Sequence, residues 1–98
     1  MTKAELTKAQ RRMLQSVADG EVFRRFDVYA GYWWTERGKR LPAYGKSEHF
    51  PPLPIRFLAF GGFIAEGETV RPASGHDETP YVITPAGRAL IAKEAEHG

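Results

Sequence analysis

Cationic and aromatic side chains crowd one stretch of this 98-residue chain: Arg24, Arg25, Arg37, Lys39, Arg40 and Lys46, with Trp33, Trp34 and Tyr44 among them. Guanidinium and ammonium groups neutralise phosphates, and aromatic rings stack on bases or sugars. The chemistry these residue types suggest is contact with a polyanion. Arg24, Arg25, Trp34, Arg37, Lys39, Arg40 and Lys46 are therefore candidate nucleic-acid contacts, joined further along by Arg56. The plain alternative is a solvated hairpin whose tryptophans cover a core. Net charge is only +2, but its distribution is uneven. Residues 1–49 carry ten Lys/Arg against six Asp/Glu, whereas residues 50–98 carry four against six. A basic first half suits a polyanionic partner.

Other chemistry finds less support. The chain contains no cysteine, which excludes a disulfide framework, a thiolate zinc site and a cysteine nucleophile. His49, His76 and His97 share no metal-ligand spacing. Ser74, His76 and Asp77 sit too close together for a catalytic triad, whose members converge from separate elements. Gly61-Gly62 lacks the spacing and the lysine of a phosphate loop. The expectation is a protein that is not an enzyme and uses no cofactor, metal or small-molecule substrate. The longest near-apolar run, Phe57 to Ala65, is nine residues, against about 20 for a membrane span. With no secretory pattern at Met1-Thr2-Lys3, the expected location is the cytoplasm.

The elements that must position these residues follow from caps and periodicity. Thr7-Lys8-Ala9-Gln10 is a capping box, and Met13, Leu14, Val17 and Ala18 follow on one helical face, predicting a helix over 8–18. Thr2-Lys3-Ala4-Glu5 offers an alternative, earlier start. Asp19-Gly20 stops the helix. Residues 22–41 are rich in strand formers, with turns at Ala30-Gly31 and Arg37-Gly38-Lys39, and predict strands or a hairpin. Pro51 and Pro52 forbid a helix through them, so the next helix is expected over 54–60, stopped by Gly61-Gly62. On it, Ile55, Leu58 and Ala59 point to the core and Phe57 and Phe60 fall on other faces. Phe50, Phe57, Phe60 and Phe63 form an aromatic-rich stretch. Core burial is the expectation for it, and an exposed partner-docking patch at Phe50, Phe57 and Phe60 is the alternative. Strand-forming residues around a polar loop occupy 63–83. Thr84 caps a last helix over 85–94, with Pro85 in its first position.

Two stretches resemble a known family. Ile55-Arg56-Phe57-Leu58-Ala59-Phe60-Gly61-Gly62-Phe63-Ile64 is similar to the end of a winged helix-turn-helix recognition helix entering its wing. Tyr81-Val82-Ile83-Thr84-Pro85-Ala86-Gly87-Arg88-Ala89-Leu90 resembles the second wing strand and closing helix of small bacterial regulators. The resemblance implies one α+β domain over 1–98: three or more helices, a small antiparallel sheet, a wing at 63–83 and a C-terminal closing helix. It also implies duplex DNA as partner, usually through a homodimer, with helix 54–60 in the major groove. The expected role is a transcriptional regulator or recombination accessory factor. Yet helix 54–60 has Arg56 as its one polar residue, and Asp77 and Glu78 face Arg71 in the wing. Base readout needs polar side chains. The alternative is a protein-interaction module, such as a phage-type inhibitor or adaptor with a host protein partner, that kept the scaffold and lost base readout.

Overall fold

A computed structural model describes residues 6–29, 31–42, 51–71 and 75–97, with no side-chain description beyond Lys93. Helix α1 (Lys8–Ala18) is followed by strands β1 (Val22–Asp27), β2 (Gly31–Glu36) and β3 (Lys39–Arg40). Helix α2 (Leu53–Phe60), strands β4 (Ile64–Glu66) and β5 (Asp77–Ile83) and helix α3 (Pro85–His97) complete the order. Among the described residues the fold is α+β, with three helices and a five-stranded antiparallel sheet of order β3-β2-β1-β5-β4. Among the described residues no helix is long and apolar enough to cross a membrane.

Local chemistry explains the ends of these elements. Thr7 Oγ1 accepts from the Gln10 amide at 3.1 Å, and the Thr7 amide donates to Gln10 Oε1 at 2.9 Å, closing the capping box. Leu6 and Thr7 lie outside the helix, so α1 does not run back to the earlier candidate cap. Gly20 takes the left-handed conformation that turns the chain into β1. The β2–β3 turn has positive φ at both central residues, 52° at Arg37 and 83° at Gly38. This is the backbone pattern of a two-residue hairpin whose twist matches its strands. Helix α2 begins at Leu53, one residue before the expected start, because Pro52 occupies its N-cap. Helix α3 runs to His97 rather than ending near Glu94, since residues 94–97 contain no helix breaker.

Strand β5 serves two partners. Its first half pairs with β1 (Phe26↔Asp77 to Phe23↔Pro80) and its second half with β4 (Glu66↔Tyr81 to Ile64↔Ile83). The change falls at Pro80, which has no amide to give; its carbonyl accepts from Gly67 at 2.7 Å.

The helices cover one face of this sheet. Alternation puts Val22, Trp34, Ile64 and Tyr81 on that face, and all four are buried, together with Leu6, Met13, Leu14, Val17, Ile55 and Leu58. Ser16 shares α1's buried face and donates to Glu36 at 2.5 Å. Ala18 is half-buried.

The two stretches that carry the family resemblance meet in space. The Thr84 amide donates to the Phe63 carbonyl at 3.1 Å, and Thr84 Oγ1 donates to the Gly62 carbonyl at 2.6 Å. The same Oγ1 accepts from the Gly87 amide at 3.1 Å and caps α3. Gly87 touches this turn so closely that a Cβ there would lie 2.2 Å from the Phe63 oxygen. Glycine is needed at position 87 for that approach, not for an unusual φ.

Candidate functional site

Three of the residues singled out as nucleic-acid contacts meet at one cleft. Arg24 on β1, Trp34 on β2 and Arg56 on α2 line a depression of about 410 Å³ between α2 and the sheet. Tyr32, Phe60, Glu66 and Tyr81 complete its functional lining. The register explains the grouping. Arg24 pairs directly with Trp34 and Phe26 with Tyr32, so all four side chains stand on the helix-covered face. Tyr81 and Glu66 come onto the same face as direct partners across β4 and β5.

Trp34 forms part of the floor. It is only 6% exposed, and its indole N–H donates to the Tyr81 hydroxyl at 3.1 Å. Its ring is packed in the core, with little surface left at the cleft. Burial pushes the Tyr81 phenol above its usual range. The Glu66 charge adds to the shift, while the Trp34 hydrogen bond and Arg24 oppose it. The indole N–H is therefore committed to the phenol oxygen.

The walls are aromatic and charged. Phe60 is 86% exposed, and Tyr32 is exposed at its edge. The Arg24 guanidinium lies over the Tyr32 ring at 5.0 Å, and Phe26 packs against the same ring at 4.7 Å. Arg24 Nη1 also donates to Glu66 Oε2 at 2.7 Å. Arg56 is held across the cleft by a 3.2 Å bond from Nη2 to the Pro51 carbonyl.

The remaining candidates lie elsewhere. Arg25 is on the opposite, open face of the sheet, where it pairs with Glu78 and stacks over Phe23 at 5.3 Å. Arg40 is on that open face beside Thr35 and reaches over Trp33 at 5.8 Å. Arg37 belongs to the β2–β3 turn, and its guanidinium donates to Asp19 at 2.8 Å. That contact holds the Asp19 carboxyl below its ordinary range, with help from Gln15. Lys39 is exposed on β3 opposite Glu36. Lys46 and Phe50 lie outside the described residues, as do Tyr44 and His49. The basic stretch is thus divided between a cleft, an open sheet face and a hairpin tip.

The aromatic-rich stretch also divides. Phe63 packs against the core, but Phe57 is 44% exposed and Phe60 more so, which corrects the expectation of core burial for these two. With Leu53, 42% exposed, they form an apolar stripe at i, i+4 and i+7 on the outer side of α2. Ile55 and Leu58 take the core positions instead, fully buried.

The acidic side chains of the β4–β5 region are taken up by arginines. Glu66 faces Arg24, Glu78 faces Arg25, and Asp77 accepts from Arg71 at 2.7 Å. Among the described residues no group of three or more His, Asp or Glu is arranged to hold a metal ion. Tyr32, Glu66 and Tyr81 were not legible as site residues. The alternation along residues 24–34 carried a signal for Tyr32, whereas Glu66 and Tyr81 depend on strand order. Comparison with protein-family models, with curated proteins and with solved structures finds no match to the chain.

Proposed function

We propose that this chain is a small nucleic-acid-binding protein on a winged-helix-like scaffold, acting as a regulator or a recombination accessory factor. The scaffold reading is supported by connectivity. Helix α1, strand β1, helix α2 and the β4–β5 pair, with strands in the order β1-β5-β4, follow the order that the family resemblance implies. In this reading the β2–β3 hairpin occupies the place of the family's second helix, and α3 closes the domain.

The observation that carries the functional reading is the convergence of Arg24 and Arg56 with Tyr32 and Phe60 on one cleft. Cations beside exposed aromatic rings suit a phosphate backbone with accessible bases. Helix α2 is not the reading element, because Leu53, Phe57 and Phe60 point outward and offer no hydrogen bonds to base edges. The contact surface is the cleft, with Lys39 at the hairpin end as an auxiliary charge.

The test is a salt titration of binding to labelled nucleic acid. Affinity falls steeply with salt as counterions are released. An Arg24→Gln/Arg56→Gln variant loses more affinity than an Arg37→Ala/Lys39→Ala/Arg40→Ala variant. Absence of binding at low salt defeats the proposal. A greater loss in the hairpin variant moves the interface to the hairpin.

The apolar stripe of α2 favours a second reading, a protein-interaction module that docks a copy of itself or another protein through Leu53, Phe57 and Phe60. Sedimentation across a wide concentration range tests the self-association branch. A change in mass with concentration that disappears in Phe57→Ser supports it, and a strict monomer counts against it.

A further inference from the structure

The cleft discriminates between forms of nucleic acid. A duplex keeps its bases stacked and presents only their edges, which are read by polar side chains entering a groove. The outward residues of α2 cannot do this, being Leu53, Phe57 and Phe60. A single strand instead presents the flat faces of its bases, and these stack on aromatic rings with little regard to sequence.

Phe60 is built for such a contact. At 86% exposure it contributes almost nothing to the core, yet it lies at the lip of the cleft rather than isolated on the surface. The opposing wall is the flat pair formed by the Arg24 guanidinium and the Tyr32 ring. Among the described residues, the charged groups of the lining are the guanidiniums of Arg24 and Arg56 and the carboxylate of Glu66. A volume of about 410 Å³ falls in the range of pockets that enclose a small organic group. The floor's one polar contact is between Trp34 and Tyr81, where the indole N–H donates to the phenol oxygen.

We propose that the cleft takes an unpaired nucleobase with its adjoining phosphate, so that the protein binds single-stranded nucleic acid in preference to duplex. The inference rests on the nucleic-acid reading above and specifies its ligand. The base stacks on Phe60, and Arg24 and Arg56 hold the phosphate. Glu66 opposes the phosphate by occupying Arg24 at 2.7 Å, which weakens binding and increases its dependence on that pair.

Fluorescence anisotropy at low salt tests this with labelled oligothymidylate, oligouridylate and a hairpin duplex of matched length. The expected result is that both single strands bind on the order of tenfold more tightly than the duplex. Phe60→Ala weakens the single strands by roughly tenfold, the lower range of one lost base–aromatic stack, and leaves the duplex unchanged. Its thermal midpoint stays at the wild-type value because the ring is exposed, so the loss is not one of folding. Glu66→Gln tightens single-strand binding severalfold. Arg24→Gln lowers the salt slope by about 0.7, the share of one phosphate contact on a single strand. Duplex binding as tight as single-strand binding, unaffected by Phe60→Ala, overturns the cleft inference and leaves the nucleic-acid reading intact. Absence of binding to all three probes overturns both and leaves the protein-docking reading of the α2 stripe.

Discussion

Arginine dominates the charged chemistry of the sheet, and the two arginines of β1 each have a carboxylate: Glu66 for Arg24 and Glu78 for Arg25. These pairs bridge 42 and 53 residues of sequence, so a local count of cations could not find them. Such pairs at a protein surface contribute little stability, but they decide which charges a polyanion meets first. Trp33 and Trp34 illustrate the same limit. Alternation along the chain places them on opposite faces, yet nothing local says which face the helices will cover. The outcome is that Trp34 joins the core and Trp33 stays with Arg40 on the open face. Tyr81→Phe tests the floor of the cleft. It leaves a buried indole N–H without its acceptor, a cost of about 1–3 kcal/mol, to be read by chemical denaturation. The Tyr81 phenol also has a pH signature. Because burial raises its folded value, its contribution is fully present below the unfolded phenol's pKa of about 10 and is lost as pH rises through the folded value. Alkaline unfolding monitored by circular dichroism should show this loss in the wild type and lack it in Tyr81→Phe.

At the scale of elements, the best-read features were those fixed by short-range chemistry. The Thr7 capping box sets the start of α1, the Arg37-Gly38 turn sets the β2–β3 hairpin, and Thr84 sets the start of α3. Proline and glycine told where α2 begins and ends. What could not be read is why Thr84 and Gly87 sit where they do. Their role is to clamp α3 onto the Gly62-Phe63 turn, a contact between elements rather than within one. Gly87→Ala therefore drives a methyl into the Phe63 backbone, with a cost of about 1–3 kcal/mol or more, measured as a lowered denaturation midpoint. Thr84→Val removes both the cap and the Gly62 contact and should destabilise by roughly 1–2 kcal/mol. The link between α1 and the hairpin turn has an acid signature. Arg37 lowers the folded pKa of Asp19, so that contribution is present above the unfolded carboxylate's value of about 3.9 and is lost as pH falls through the folded one. Both side chains are well exposed, so the effect is small. In Asp19→Asn the acid limb of the stability profile should be correspondingly flatter.

The molecule as a whole has two dissimilar sheet faces. One carries the helices and the cleft where Arg24, Arg56, Tyr32 and Phe60 gather. Among the described residues, the other carries Arg25, Trp33, Thr35 and Arg40. The basic, aromatic stretch near 24–46 pointed toward a polyanion. Its division between the two faces is a property of the antiparallel register and emerges only when the strands are assembled. A binding account built on the whole stretch and one built on the cleft make different spatial predictions. Amide and arginine side-chain resonances followed by NMR during titration with oligothymidylate separate them most directly. Shifts concentrated at Arg24, Tyr32, Arg56, Phe60 and Glu66, with Arg25 and Arg40 unmoved, are the expected result. Shifts concentrated on Arg25, Trp33 and Arg40, or no shifts at saturating oligonucleotide, would contradict it.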